Sequence, residues 1–115
     1  MAPMIIFDQT QSPVLVIGSP GGSWIIPYVS KTIAQHLYLD AELEEAINSD
    51  HIGNINRKVA MIEEDTALST IHALEKLGHN VQVRPLTSGI HAIKLSKGQL
   101  TGVADSRREG TAKGL

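Results

Sequence analysis

The sequence contains no cysteine and very few aromatic residues. Of its 115 residues only 3% are aromatic, namely one Phe, one Trp and two Tyr. The absence of cysteine excludes disulfides, thiolate metal ligands and a cysteine nucleophile. Scarce rings argue against a nucleic-acid partner, because single-stranded sites stack bases on aromatic side chains. The net charge of −2 also lacks the basic footprint of DNA- and RNA-binding proteins.

Long hydrophobic runs are absent as well. No apolar stretch approaches the roughly 20 residues that a membrane-spanning helix needs, so no membrane partner is expected. The segment from Met1 to Met4 lacks the basic region of a signal peptide. Apolar residues nevertheless make up 42% of the chain, and a chain of this length can bury an aliphatic core. We expect residues 1–115 to form a single domain.

The hydrophobic pattern predicts an α+β fold with a mainly antiparallel sheet. Strands are predicted at Met4–Phe7, Val14–Ile17, Val59–Ile62, Asn80–Arg84, His91–Ser96 and Gln99–Ala104. Helices are predicted from Ser23 to Leu39, from Ala41 to Asn48 and from Thr66 to Leu77, capped by Ser23, Asp40 and Thr66. Gly78 is the predicted stop of the third helix, and residues 48–56 are predicted to be a loop.

Two helices carry apolar residues spaced by three or four positions. In the first helix these are Ile26, Val29, Ile33 and Leu37. In the third they are Leu68, Ile71, Leu74 and Leu77. The Ile and Val positions of the first helix and the whole set of the third helix are expected to be buried.

A glycine-rich turn stands between the second predicted strand and the first helix. Its sequence is Gly-Ser-Pro-Gly-Gly-Ser at residues 18–23. Backbone N–H groups at such a turn can converge on an anion, assisted by the helix dipole. Three interpretations stay open: a phosphate site, an oxyanion hole formed by Gly21 and Gly22, or a tight turn that binds nothing. The phosphate-binding fingerprints are absent from the turn, whereas an oxyanion hole requires only two adjacent donors.

Other candidate groups give weaker signals. The five histidines show no zinc-ligand spacing, so neither a metal nor another cofactor is expected. Ser19 does not sit in the G-x-S-x-G pattern of a nucleophile elbow. Glu42, Glu44 and Glu45 are expected to form a solvated helix face rather than an acid–base pair. Asp105 with Arg107 and Arg108 either binds an anion or forms a local ion pair at a surface turn, the second being favoured.

Several segments together resemble the C-terminal part of a gamma-glutamyltransferase (glutathione hydrolase). They are Met-Ala-Pro-Met-Ile-Ile-Phe at residues 1–7, Val-Ile-Gly-Ser-Pro-Gly-Gly-Ser at 16–23, Leu-Gly-His-Asn-Val at 77–81 and Gly-Val-Ala-Asp-Ser-Arg-Arg-Glu-Gly at 102–110. The resemblance covers essentially the whole chain. It implies a portion of an N-terminal-nucleophile hydrolase, an αββα sandwich, with the helices of this portion on one side of its sheet.

The resemblance also implies a chemistry. Members of this family use a threonine nucleophile, whose own α-amino group is the base, and two adjacent glycines as the oxyanion hole. The glycines match Gly21 and Gly22, while the threonine lies upstream of the segment matching Met1. We therefore expect the chain to be inactive alone in gamma-glutamyl transfer or glutathione hydrolysis. The alternatives are a non-catalytic remnant with a structural or binding role and an independent anion-binding loop.

The expected partners follow from the same resemblance. They are a second copy of the chain or a complementary large-subunit chain, and a gamma-glutamyl substrate once the site is assembled. Family members are often periplasmic or extracellular, and the location of this chain stays open.

Overall fold

The computed structural model describes residues 1–114 and divides the chain into two compact units. The first, which we call the glycine-turn unit, comprises Met1–Asn48 and the chain from Thr87 onward. The second, the insert unit, comprises Ser49–Leu86. No helix within residues 1–114 has the length and apolar character needed to span a bilayer.

The glycine-turn unit is built on a four-stranded antiparallel sheet. Its strands are β1 (Met4–Phe7), β2 (Pro13–Gly18), β6 (His91–Ser96) and β7 (Gln99–Ala104), in the order β1-β2-β6-β7. Strand β2 pairs with β6 so that Ile17 faces Ala92 and Gly18 faces His91. The glycine turn therefore leaves β2 beside the point where β6 begins.

Helices cover one face of this sheet. Helix α1 (Ile25–Ile33) continues as a π-helical turn over Ala34–Tyr38, and α2 (Leu43–Asn48) follows. The covered face carries Leu15, Ile17 and Ala92, all at most 3% exposed. These side chains and the buried residues of α1 and α2 form an aliphatic core, as the scarcity of rings requires.

The opposite face of the same sheet is uncovered within residues 1–114. Ile5 and Ile93 both pair with Val16, so all three lie on this face. Ile5 is 58% exposed, Ile93 43% and Leu100 71%. The predicted arrangement, with helices on one side of a mainly antiparallel sheet, is confirmed for this unit.

The insert unit has a three-stranded sheet and one helix. Strands β3 (Ile52–Gly53) and β4 (Val59–Glu63) are antiparallel, and β4 is parallel to β5 (Asn80–Arg84). Helix α3 (Leu68–Lys76) connects the two parallel strands, as a parallel crossover requires. The predicted loop at residues 48–56 therefore contains a short strand that the sequence analysis missed.

The predicted helix caps at Ser23 and Thr66 are wrong. A 3₁₀ turn over Gly22–Trp24 precedes α1, and neither it nor α1 has a side-chain cap. Helix α3 is preceded by Ala67, again without a side-chain cap. Helix α2 begins at Leu43 rather than Ala41. The prediction of Gly78 as a stop is confirmed, because its φ is 92° and His79 N–H donates to Leu74 O.

The predicted buried faces of α1 and α3 are also largely wrong. Val29 is buried as predicted, but Ile26 is 74% exposed, and Tyr28, Thr32 and His36 are buried without having been predicted to be. Thr32 tolerates burial because its hydroxyl donates to Tyr28 O at 3.0 Å. In α3 no residue is fully buried, and Leu68 and Leu77 are more than two-thirds exposed.

Replacing Gly78 with alanine is expected to destabilise the chain by about 1–2 kcal/mol, because a Cβ is strained at positive φ. No atom lies within 4 Å of that Cβ position, so backbone strain alone is tested. Gly114→Ala is the control, since Gly114 also has open space and no positive φ. Urea unfolding of both variants measures the difference, and equal stabilities would contradict the assignment.

Candidate functional site

The candidate site is the glycine turn at the end of β2. Gly21 has φ 142° and Gly22 has φ 58°, values that glycine adopts without a steric cost. The 3₁₀ turn then leads directly into α1. Within residues 1–114, no acceptor is found for the N–H groups of Gly21 and Gly22. Two adjacent backbone donors are thus available close to the positive end of a helix.

The two glycines differ in what surrounds them. A Cβ on Gly21 would lie 2.8 Å from Cε2 of Tyr28, a side chain only 3% exposed. A Cβ on Gly22 would meet nothing within 4 Å. Gly21 is therefore required by packing as well as by its backbone angle. Gly22 borders open space that a reacting group could occupy.

Ser19 is part of the support of the turn. It is 1% exposed, and its hydroxyl donates to Pro20 O at 2.7 Å. The same oxygen accepts the N–H of Gly89 at 3.2 Å. A buried hydroxyl with both bonds satisfied has no geometry for attack on a substrate, which agrees with the missing elbow pattern.

At Gly89 the segment that precedes β6 packs against the glycine turn. A Cβ at this position would lie 3.0 Å from Cγ of Pro20 and 2.9 Å from Cδ of Arg108. The Arg108 side chain in turn donates from Nε and a terminal nitrogen to Thr87 O at 3.1 and 3.0 Å. Only glycine permits this approach of the backbone, the Pro20 ring and Arg108.

The carboxylate of Asp105 accepts hydrogen bonds from the residues on either side of Gly89. This carboxylate is 2% exposed and accepts the Ser88 hydroxyl and the Ile90 N–H on one oxygen. The other oxygen accepts the N–H of Arg107 at 3.0 Å and its guanidinium at 3.2 Å. The predicted ion pair is confirmed, but its description as a surface turn is wrong, because Asp105 is buried.

The hydrogen bonds keep Asp105 ionised. Burial works to raise the pKa of this carboxyl. The Ser88 hydroxyl, the N–H groups of Arg107 and Ile90 and the Arg107 charge outweigh burial and hold the pKa below its ordinary value. The anion-binding alternative for Arg107 is not favoured, since its guanidinium already contacts Asp105 and the carbonyl of Ile47.

The remaining candidate groups are the histidines and the acidic face of α2. Nδ1 of His36 bonds to Ala41 O at 2.7 Å, and Nδ1 of His91 lies 3.2 Å from Gly89 O. Glu44 and Glu45 occupy the first turn of α2 and line, with Lys94 and Lys97, an open cleft against β6. Among residues 1–114, no three His, Cys, Asp or Glu side chains are grouped so that they could hold a metal ion.

Comparison with known proteins decides the family. A sequence model of gamma-glutamyltranspeptidase matches residues 1–115. The chain belongs to the gamma-glutamyltranspeptidase family. It is 33% identical to the glutathione hydrolase proenzyme of Bacillus subtilis over 118 aligned residues, covering all of this chain and 20% of that protein. It is 28% identical to human glutathione hydrolase 5 proenzyme over 99% of this chain and 20% of that one.

Structural similarity gives the same family. A Helicobacter pylori gamma-glutamyltranspeptidase variant superposes with a TM-score of 0.83 at 26% identity, covering 94% of this chain and 61% of that one. The predicted α+β class of an N-terminal-nucleophile hydrolase is confirmed. The chain spans about a fifth of the curated relatives it matches.

The sequence predicts the glycine turn but not the residues that support it. Asp105, Arg107 and Arg108 stand out in the sequence as a block of charge, whereas no role is predicted for Ser88 and Gly89. The available signal is the Ser-Gly pair at residues 88–89, one residue before a predicted strand, since a glycine in or beside a strand often marks a close backbone approach. Nothing in the sequence indicates that this pair meets residues 19–20.

Gly21 and Gly22 are expected to differ sharply in tolerance. Gly21→Ala should lower the free energy of unfolding by about 1–3 kcal/mol from backbone strain, with a further loss from the clash with Tyr28. Gly22→Asn should cost less, because asparagine tolerates φ near +60° and its Cβ enters open space. Urea unfolding of the two variants tests this order, and the reverse order would contradict the described turn.

Proposed function

We propose that this chain is the C-terminal portion of a gamma-glutamyltransferase small subunit and supplies the oxyanion hole for gamma-glutamyl transfer or glutathione hydrolysis. The observation that carries the proposal is the pair of N–H groups at Gly21 and Gly22. They have no acceptor within residues 1–114, and open space lies beside Gly22. The family membership supplies the reaction class.

The proposed chemistry is acyl transfer through a tetrahedral intermediate. The family's threonine hydroxyl adds to the gamma-glutamyl carbonyl carbon and gives its proton to the threonine α-amino group. The carbonyl oxygen becomes an oxyanion, which the N–H groups of Gly21 and Gly22 stabilise. Collapse expels the amine with that proton. Water or an acceptor amine then releases the glutamyl group from the threonine.

A non-catalytic role would require different residues in the turn. A purely structural turn would need Gly21 for packing against Tyr28, but nothing in residues 1–114 would need the open side of Gly22. Positive φ alone does not require glycine there, since asparagine and aspartate adopt similar angles. The open side of Gly22 therefore favours a site over a plain turn.

The uncovered sheet face supports a proposal about partners. It exposes Ile5, Ile93 and Leu100, each at least 43%, whereas monomeric proteins rarely leave a contiguous apolar face bare. We propose that the remaining part of a gamma-glutamyltransferase covers this face in the assembled enzyme. When these 115 residues are produced alone, a second copy takes its place.

A pair of substitutions at Gly22 tests the oxyanion assignment. The protein assayed is a chimera in which this chain replaces the matching fifth of the Bacillus subtilis glutathione hydrolase. Gly22→Asp places a negative charge beside the developing oxyanion and should reduce kcat for a gamma-glutamyl anilide by about 10²–10³-fold. Gly22→Asn, with the same shape and backbone tolerance but no charge, should retain far more activity.

Two controls accompany this pair. Ser19→Ala should lower kcat only as far as loss of the Gly89 bond loosens the turn, and should keep measurable turnover because Ser19 is not the nucleophile. The 115-residue chain without the rest of the chimera should not hydrolyse the anilide. If Asp and Asn at position 22 had equal effects, the oxyanion assignment would be wrong. Loss of all turnover in Ser19→Ala would reopen the nucleophile hypothesis.

The separately produced chain is expected to self-associate through the uncovered sheet face. Sedimentation velocity over a range of concentrations should show a dimer or a larger species. Leu100→Lys should weaken the association, because it places a charge in the apolar face. Ile26→Lys is the matched control, since Ile26 is equally exposed at 74% but lies on α1. A concentration-independent monomer would contradict the proposal.

A further inference from the structure

We propose that Asp105 is a positioning residue for the glycine turn. Its carboxylate fixes the backbone of residues 88–90, and that backbone fixes Ser19 and Pro20 directly before the two glycines. The expected effect of Asp105 on catalysis rests on the proposed function, whereas its effect on the position of the turn does not. The inference thus assigns a role to a residue that touches no substrate.

The first link joins Asp105 to both sides of Gly89. One carboxylate oxygen accepts the Ser88 hydroxyl and the Ile90 N–H. The backbone N–H of Asp105 also donates to Ile90 O at 2.8 Å. Because the residues on either side of Gly89 bond to one aspartate, the position of Gly89 is set by that aspartate.

The second link joins Gly89 to the turn. Its N–H donates to the Ser19 hydroxyl, and its α-carbon lies against the Pro20 ring. Ser19 closes the link by donating to Pro20 O. Residues 19 and 20 are therefore held by one hydrogen bond and one close packing contact, immediately before the N–H groups of Gly21 and Gly22.

The third link immobilises Asp105 itself. Arg107 donates to the second carboxylate oxygen from its N–H and its guanidinium. The same guanidinium donates to the carbonyls of Ile47 and Asn48 at the end of α2. Asp105 is thereby tied to a helix of the core, and a displacement of the carboxylate requires several bonds to break together.

An amide cannot replace this carboxylate. Four donors converge on the two oxygens, two on each. Asparagine offers one oxygen and an NH₂ group, so either the Ile90 N–H or both donors of Arg107 would face another donor. Asp105→Asn should consequently release either the Ser88–Ile90 side or the Arg107 side while leaving the side-chain volume unchanged.

Trp24 reports on the turn directly. It is the only tryptophan in the sequence, and it ends the 3₁₀ turn that begins at Gly22. Its backbone N–H donates to Gly21 O at 3.0 Å. Acrylamide quenching of its fluorescence, measured on the 115-residue chain at one concentration and neutral pH, therefore follows the exposure of the turn. Far-UV circular dichroism establishes that each variant is folded.

The proposal expects Asp105→Asn and Ser88→Ala to raise the quenching constant of Trp24. Asp8→Asn is the matched control, because its carboxylate also accepts three donors, two from Thr10 and one from Ser12. It lies in the turn between β1 and β2, at the opposite end of β2 from the glycine turn. Quenching in this control should equal that of the unmodified chain.

A double-mutant cycle separates positioning from general loosening. If Asp105 acts through Gly89 and Ser19, then Asp105→Asn and Ser19→Ala should have effects on quenching that are smaller together than their sum. Additive effects, or unchanged quenching in a folded Asp105→Asn chain, would overturn the proposal. If Asp105→Asn does not fold, Ser88→Ala decides, since it leaves the Arg107 bonds intact.

The chimera gives the catalytic readout. Asp105→Asn should lower kcat by about tenfold or more, because small displacements of catalytic groups cost up to about a hundredfold, and should leave KM nearly unchanged. If Gly22→Asp leaves kcat intact, the oxyanion assignment fails while the quenching result still tests positioning. If Gly22→Asp lowers kcat and Asp105→Asn changes neither kcat nor quenching, positioning fails and the oxyanion assignment stands.

Discussion

The packing of the Pro20 ring on the α-carbon of Gly89 is the contact on which the glycine turn depends. Just beyond the last pair of the β2–β6 ladder, Gly18 with His91, the two segments approach so closely that a Cβ on Gly89 would lie 3.0 Å from the Pro20 ring. Such an approach requires a residue without a Cβ at position 89. The Gly89 N–H donates to the Ser19 hydroxyl and the Ile90 N–H donates to Asp105, and these bonds hold the two segments at this distance.

The charged and polar groups of the site lie around the same contact between Pro20 and Gly89. Asp105 is buried, and four donors compensate the cost of burying its charge. Gly21 and Gly22 show the reverse arrangement, with N–H donors for which residues 1–114 provide no acceptor. A carboxylate with all its donors in place thus supports the turn on one side, while the N–H groups of Gly21 and Gly22 remain available on the other.

Local patterns in the sequence predicted most of the strands and the location of the turn. The strands Asn80–Arg84, His91–Ser96 and Gln99–Ala104 have the predicted bounds, because alternation and turn residues are local signals. The buried faces of α1 and α3 were predicted poorly, since Ile26 and Leu68 are exposed while Thr32 is buried. Burial depends on neighbouring elements, and the support of the site joins residues separated by 70 positions.

The glycine-turn unit is discontinuous in the sequence, and this has a consequence for the order of folding. A ribosome delivers residues 1–48 first, then the whole insert unit, and only afterwards the segment from Thr87 that completes the sheet. Strand β2 lacks its β6 neighbour during that interval, and the turn lacks Gly89 and Asp105. Long-range pairing of this kind is slow to form, and unpaired strand edges invite aggregation while it is incomplete. The glycine turn therefore becomes rigid only after the segment from Thr87 has been synthesised.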